Sequence, residues 1–198
     1  MSLPRGERRR VSFEDRFRAL IKPFARFLSW LRIKPNTLTA TGWVLSVAAG
    51  ALFGMGYVQV AGALMLFAGL FDALDGAVAR LSNQMTVFGA FLDSTLDRLS
   101  EALIFMGIIY FYAASGSPAG ALLAAAAMTF SLMTSYARAR AEGLGYKCEV
   151  GILDRPGRVL ALSAFSIFGF MTAGVAVVAV GAAITTVQRI LHVRSLGS

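Results

Sequence analysis

Three long stretches of this sequence carry no charged side chain, and they limit what the chain can fold into more than any other feature. They comprise residues 35–71, 102–137 and 159–188, which are 37, 36 and 30 residues long. One helix needs about 20 apolar residues to cross a bilayer, so each stretch has room for two crossings and a tight turn. The sequence therefore predicts an all-α, polytopic membrane protein with six transmembrane helices in three hairpins.

Turn-forming residues lie near the middle of each charge-free stretch, at Gly54-Met55-Gly56, Gly116-Ser117-Pro118 and Thr172-Ala173-Gly174. These turns carry no Lys or Arg, whereas all 19 basic side chains of the chain fall on the opposite side. Basic segments are retained in the cytoplasm. We therefore expect a multi-pass protein of the plasma membrane with both termini in the cytoplasm and the three turns outside.

Composition argues against a soluble protein and limits the possible metal ligands. Charged residues make up 15% of the chain, against about 25% in a typical soluble protein. Cys148 and His192 are the single cysteine and the single histidine, which excludes an internal disulfide and a His/Cys zinc site. Any metal ion would have to be held by carboxylates.

Residues 1–34 are predicted to form a basic cytoplasmic arm ahead of a membrane-embedded domain at 35–198. The arm holds ten Lys and Arg residues against three acids. Between residues 13 and 31, apolar side chains recur at spacings of three and four, which predicts an amphipathic juxtamembrane helix interrupted at Pro23. Such a helix suits anionic lipid headgroups better than nucleic acid. Packing on the protein's own cytoplasmic face is an equally good interpretation.

Four aspartates lie on two helix faces that are close together in the sequence. On the second predicted membrane helix, the spacing i, i+3, i+4, i+7 gives one face with Asp72, Asp75, Gly76 and Ala79. On the third, the spacing i, i+4, i+8 gives one face with Gly89, Asp93 and Asp97. A loop of about eight residues joins the two helices, so the four carboxylates can converge at the cytoplasmic end of the bundle.

Clustered carboxylates near a membrane repel one another and persist only where cations neutralise them. Oxygen ligands favour Mg²⁺ or Mn²⁺, and four carboxylates suit two such ions, an arrangement that catalyses phosphoryl transfer. The alternatives are solvated helix ends paired with arginines, the ion pathway of a divalent-cation transporter, or a lipid-binding scaffold. A transporter needs polar residues along its whole path, whereas the outward halves of these helices are almost wholly apolar.

The complete pattern Asp-x₂-Asp-Gly-x₂-Ala-Arg-x₈-Gly-x₃-Asp-x₃-Asp runs from Asp72 to Asp97. It resembles the signature of the CDP-alcohol phosphotransferases, integral membrane enzymes of phospholipid synthesis with a six-helix body. The resemblance implies a two-metal site formed by Asp72, Asp75, Asp93 and Asp97. It also implies a homodimer, release of CMP from a CDP-lipid, and Asp97 as general base. The residues implied to receive the CDP-lipid are Gly76, Ala79, Arg80 and Gly89.

A second basic cluster bears on the acceptor alcohol. Arg138, Arg155 and Arg189 lie at helix ends that can face one cytoplasmic cavity, with Ser135 nearby, and three arginines suit a phosphate dianion better than a neutral alcohol.

The segment Tyr136–Gly143, followed by Asp154-Arg155-Pro156, resembles the inositol-phosphate-using branch of the family, although that branch often has lysine at the position of Arg138. Glycerol 3-phosphate is the alternative acceptor, and serine fits less well because it carries no phosphate. Arg158 and Arg194 are expected to be interfacial anchors.

Overall fold

The computed structural model describes residues 23–28, 30–31, 35–82 and 85–197. Within these residues there are six long helices and no strand, which confirms the all-α prediction. The helices are α1 (Pro35–Gly54), α2 (Val58–Leu81), α3 (Val87–Ala114), α4 (Pro118–Gly143), α5 (Arg155–Ile167) and α6 (Met171–Leu196).

The turns of the first two predicted hairpins lie where the sequence predicted them, at residues 55–57 and 115–117. The predicted position of the third turn, Thr172-Ala173-Gly174, was wrong. α5 ends at Ile167, and Gly169 makes the turn with a φ of +81°, a left-handed conformation that glycine adopts without steric cost. Gly174 lies inside α6, where an added Cβ would stand 2.7 Å from the Cβ of Phe165, so this glycine allows α5 and α6 to approach.

The connection between the two aspartate-bearing helices is shorter than the eight residues expected. α2 ends at Leu81 and α3 begins at Val87, so the connection spans residues 82–86. The side chain of Thr86 caps α3 by accepting a hydrogen bond from the Gly89 amide at 2.9 Å. This cap fixes the start of α3 two residues before Gly89 and brings its first turns close to the end of α2.

An apolar core joins all six helices and includes the buried side chains of Phe53, Phe105, Ile108, Leu162 and Val175. α1 and α3 cross closely at two glycines. A Cβ added to Gly107 would stand 1.9 Å from the carbonyl oxygen of Gly50, so the two backbones are in direct contact there. Such small-residue crossings are common between membrane helices, because close approach gives good packing without a hydrophobic driving force.

In the described part of the chain, four helices are long and apolar enough to cross a membrane, namely α1, α2, α4 and α6. The other two helices, α3 and α5, do not meet that description. α3 is 28 residues long but carries Asp93, Asp97, Arg98 and Glu101 within its first 15 residues. α5 has 13 residues and a length of about 20 Å at 1.5 Å per residue, less than the roughly 30 Å of a bilayer core.

Most of the predicted amphipathic arm lies outside the described residues. Its described part is helical over residues 23–28, which includes Pro23, the predicted interruption. Ala25 is fully buried and belongs to a small apolar cluster with Leu38 of α1 and with Leu74 and Val78 of α2. The opposite side of the segment exposes large apolar side chains, Phe24, Phe27, Trp30 and Leu31. The described end of the arm therefore packs on its own protein and still exposes apolar side chains.

Candidate active site

Asp72 and Asp75 of α2 converge with Asp93 and Asp97 of α3 at one end of the bundle. The charges of Asp72 and Asp93 both act on Asp75, and the same two charges act on Asp97. Asp75 is 4% exposed, whereas the other three are partly buried. The four carboxylates therefore share one electrostatic environment, in which their mutual repulsion requires positive charge.

Arg155, the first residue of α5, stands between two of these carboxylates. Its Nη2 lies 2.9 Å from Oδ2 of Asp72 and 2.8 Å from Oδ1 of Asp97. The Nε of the same side chain is buried and has no hydrogen-bond partner among the described residues. A guanidinium has five N–H donors in a planar fork, so Arg155 keeps a donor for a further acceptor while it neutralises both helices.

Helix α1 forms a third wall of the site, which the sequence analysis did not foresee. Thr39 is buried, and its Oγ1 donates a hydrogen bond to Oδ2 of Asp75 at 2.5 Å. One turn further along α1, a Cβ added to Gly42 would stand 2.8 Å from Oδ1 of Asp72. Thr39 therefore holds one carboxylate in place, and Gly42 leaves the room that another occupies.

The residues assigned to the CDP-lipid lie on the same two helices as the aspartates, α2 and α3. The guanidinium of Arg80 lies beside Gly76, since an added Cβ there would be 3.5 Å from Nη1 of Arg80. A Cβ on Gly89 would stand 2.9 Å from Oγ1 of Thr86. Ala79 is half-buried on the same helix as Gly76. These small residues keep bulk away from the carboxylates on both helices.

The donor chemistry of the cluster fits hard divalent cations. The four carboxylates supply oxygen ligands alone, which Mg²⁺ and Mn²⁺ prefer, and Arg155 compensates only part of their charge. In the described residues no three carboxylate, imidazole or thiol side chains are gathered closely enough to hold a metal ion, and Arg155 stands between Asp72 and Asp97. The set therefore fits such ions in ligand type and charge, with a guanidinium in the cationic position.

Ser135 and Arg155 lie beside an ion pair that sequence reasoning missed. Nε and Nη2 of Arg158 bind the two carboxylate oxygens of Glu101 at 2.7 and 3.1 Å, and Nη2 also lies 3.4 Å from Oγ of Ser135. The exposed fractions of the Arg158 and Glu101 side chains are 2% and 8%. The expectation that Arg158 is an interfacial anchor was therefore wrong, because its guanidinium is buried and fully engaged with a carboxylate.

The other two predicted acceptor residues make different contacts. Arg138 forms an exposed ion pair with Glu142 at 2.8 Å, one helical turn away. Arg189 is buried, and its Nε and Nη1 donate to the backbone carbonyls of Val150 and Thr134 at 2.9 and 2.6 Å. The structure thus brings Arg155 to the aspartates, while Arg138 and Arg189 are bound to partners elsewhere in the chain.

A bundle of apolar, membrane-length helices with an acidic site at one end defines a membrane-embedded enzyme for phosphoryl chemistry. The chain belongs to the CDP-alcohol phosphatidyltransferase family, whose sequence profile matches residues 32–192. It is 38% identical over 189 residues to the archaetidylinositol phosphate synthase of Methanothermobacter thermautotrophicus, which covers 92% of this chain and 94% of that protein. The phosphatidylinositol phosphate synthase of Mycobacterium tuberculosis is 35% identical over 185 residues, covering 88% and 85%.

Solved structures agree with the sequence relatives. The crystal structure of the Mycobacterium tuberculosis phosphatidylinositol phosphate synthase with CDP-DAG bound superimposes with a TM-score of 0.79 at 31% identity, and covers 88% of this chain and 94% of that one. The same enzyme in complex with manganese and citrate gives a TM-score of 0.78 at 33% identity. At these identities the family and the helical architecture are shared, and the enzyme class excludes the transporter and scaffold alternatives.

Proposed function

We propose that this enzyme transfers a phosphatidyl-type group from a CDP-lipid to inositol 1-phosphate and releases CMP. The observation that carries the proposal is Arg155, which binds two carboxylates of the motif and keeps a buried, unpartnered Nε. A cation in that position lies next to Asp97, where the acceptor hydroxyl must react. The archaetidylinositol phosphate synthase and phosphatidylinositol phosphate synthase among the relatives, at 38% and 35% identity, support the choice of acceptor.

In the proposed reaction, the acceptor hydroxyl oxygen forms a bond to the lipid-side phosphorus of the CDP-lipid. The bond from that phosphorus to the CMP oxygen breaks, and the hydroxyl proton passes to Asp97 as general base. Asp72, Asp75, Asp93 and Asp97 would hold two Mg²⁺ or Mn²⁺ ions. Such ions supply stabilisation of the negative charge on the attacking and leaving oxygens.

The two substrates use different residues in this proposal. Gly76, Ala79 and Gly89 leave space for the CDP moiety, and Arg80 lies at its edge to bind phosphate. On the other side, Arg155 with Ser135, Arg138 and Arg189 would bind the phosphate of the acceptor. Arg138 is exposed and its ion pair with Glu142 is a surface contact, which costs little to break, so its guanidinium can turn toward a phosphate.

The acceptor is tested by measuring CMP release from CDP-diacylglycerol, and separately from its archaeal ether analogue, with Mg²⁺ and one acceptor at a time. We expect inositol 1-phosphate to give the highest rate. Unphosphorylated inositol should be at least roughly tenfold poorer, since one charge-assisted phosphate contact is worth about 1.5–3 kcal/mol. A higher rate with glycerol 3-phosphate would reassign the enzyme to that acceptor, and equal use of inositol would remove the role of the arginines.

The proposed orientation in the plasma membrane has the active site and both termini in the cytoplasm, where CDP-lipids and phosphorylated polyols meet. In a Cys148→Ala background, single cysteines at the exposed positions Met55, Ser115 and Phe168 should react with an impermeant thiol reagent in intact cells. A cysteine at Lys147, on the opposite side, should react only after lysis. Labelling of Lys147→Cys in intact cells would invert the topology.

Residues 1–34 are proposed to act as a basic arm at the membrane surface and residues 35–198 as the catalytic domain. The buried Ala25 and the exposed aromatic side chains beside it support an arm that bridges the protein and the lipid. A homodimer is proposed from the family resemblance, and the mass of the detergent-solubilised protein tests it.

A further inference from the structure

Two ion pairs link α3 to α5 one helical turn apart. The first joins Asp97 to Arg155, and the second joins Glu101 to Arg158. Glu101 follows Asp97 by four residues, so the two acids lie on one face of α3. Arg158 follows Arg155 by three residues, so the two arginines lie on one face of α5. The face of α3 that carries the metal-site aspartates therefore continues into Glu101.

The two pairs differ in how completely they are bound. Arg158 makes two bonds to the Glu101 carboxylate and approaches the Leu153 carbonyl and Ser135 at 3.4 Å. Arg155 is 22% exposed and retains its unpartnered Nε. The Glu101–Arg158 pair, the inner pair, is therefore fully bound. The Asp97–Arg155 pair, the outer pair, is the one that can exchange partners with a ligand.

The inner pair is out of reach of substrate. α3 and α5 are not among the helix pairs whose backbones pack closely in the described parts of the chain. A cavity of about 20 Å³ adjoins both helices and is lined by Asp72, Glu101, Arg155 and Arg158, by two serines and by apolar side chains. The exposed fractions of the Arg158 and Glu101 side chains are 2% and 8%, so in this structure the pair presents no free surface to a lipid nucleotide or an inositol phosphate.

We infer that Glu101 and Arg158 are positioning residues that set the distance between Asp97 and the acceptor-binding groups Arg155 and Ser135. This inference rests on the proposed function. Arg158 holds the first turn of α5, and thereby Arg155, at a fixed position along α3, and it contacts Ser135 of α4 directly. A buried ion pair can often be replaced by apolar residues without loss of stability. The role inferred for the Glu101–Arg158 pair is therefore to fix the relative positions of α3, α4 and α5.

The test separates geometry from stability. Removing one partner leaves a buried charge without a counter-charge and destabilises the protein. The informative variant is therefore the double substitution Glu101→Met with Arg158→Met, which removes both charges. We expect its melting temperature to stay within a few degrees of wild type. We expect the apparent KM for inositol phosphate to rise by roughly tenfold, the loss of about one charge-assisted contact, while the apparent KM for CDP-lipid stays within about twofold.

A pair that acts only through stability gives a different result. The double variant would then show wild-type KM values for both substrates, or an equal loss for both, and either result overturns the inference. Arg158→Lys is the second variant, because it keeps the charge and loses the two-pronged geometry. It should also raise the acceptor KM selectively, and a wild-type acceptor KM in a folded Arg158→Lys protein overturns the inference as well.

Failure of the proposed function can be told apart from failure of the inference by the acceptor that the wild-type protein uses. If wild-type protein releases CMP with glycerol 3-phosphate and not with inositol phosphate, the acceptor assignment fails, and the KM comparison is made with glycerol 3-phosphate. Isothermal titration of wild type and double variant with the acceptor that is used adds a measure independent of turnover. Tenfold weaker binding by the double variant supports the positioning role, and equal binding contradicts it.

Discussion

Replacing Asp93 by asparagine should lower the rate of CMP release by on the order of a thousandfold or more. The substitution removes one negative charge from the four-carboxylate cluster while it preserves size. Because the proposed metal ions lose an anionic ligand, we expect the loss of several kcal/mol of transition-state stabilisation, which corresponds to a rate about a thousandfold lower. The measurement is the initial rate at saturating CDP-lipid and acceptor over a range of Mg²⁺ and Mn²⁺ concentrations, with excess chelator as the metal-free limit.

A matched control is Glu149→Gln, which makes the same change of acid to amide on an exposed side chain that pairs with Lys147. This variant should keep the wild-type rate, because a surface ion pair contributes little. Direct Mn²⁺ binding, followed by electron paramagnetic resonance, should weaken in Asp93→Asn and remain unchanged in Glu149→Gln. Near-normal turnover of Asp93→Asn, or of wild type in excess chelator, would contradict the metal assignment.

The aspartate cluster could be predicted from sequence because its geometry is local. Asp72 and Asp75 share a face through helical periodicity alone, as do Asp93 and Asp97. The two helices follow each other directly, and the connection at 82–86 forces them to be antiparallel neighbours. Periodicity and a short connection are both visible in the residue order, so the convergence of the four side chains required no knowledge of the remaining helices.

Two local signals in the sequence were not fully used: one ion-pair spacing was overlooked, and one glycine was misinterpreted as a turn. Glu142 follows Arg138 by four residues, the spacing of a helical ion pair, and the structure contains that pair. Gly169 and Gly174 are both plausible turn residues. Helix packing decides between them, because Gly174 accommodates Phe165 and so has to lie within a helix. A glycine in a membrane helix marks either a turn or a close approach, and composition does not distinguish the two.

The contacts between distant segments could not be predicted. Thr39 meets Asp75 across 36 positions and Glu101 meets Arg158 across 57. Glu101 was detectable as the next turn of the aspartate face, but its partner depends on which helix lies opposite α3. That arrangement follows from the whole core, including the Gly50–Gly107 crossing. Arg158 was for this reason expected at the membrane interface, where an isolated arginine on an apolar helix would extend toward water.

Substituting Arg155 by alanine should weaken use of the acceptor by about ten- to a hundredfold while CDP-lipid binding stays nearly unchanged. The lost guanidinium provides the free Nε and the cation beside Asp97, and one charge-assisted phosphate contact corresponds to roughly 1.5–3 kcal/mol. The proposed divalent ions neutralise the negative charge of the aspartates in place of the Arg155 guanidinium. The CDP-lipid site therefore keeps its charge balance. The measurement is the apparent KM of each substrate at saturating levels of the other.

Two further variants make this prediction specific. Arg140→Ala removes an exposed arginine from the end of α4 and should leave both KM values unchanged. Gly76→Val should have the reverse effect of Arg155→Ala, because a branched side chain fills space assigned to the nucleotide while the acceptor residues stay intact. If Arg155→Ala weakens CDP-lipid binding as strongly as acceptor use, the two substrates share one site. The assignment of Arg155 to the acceptor site and of Gly76 to the CDP-lipid site would then be wrong.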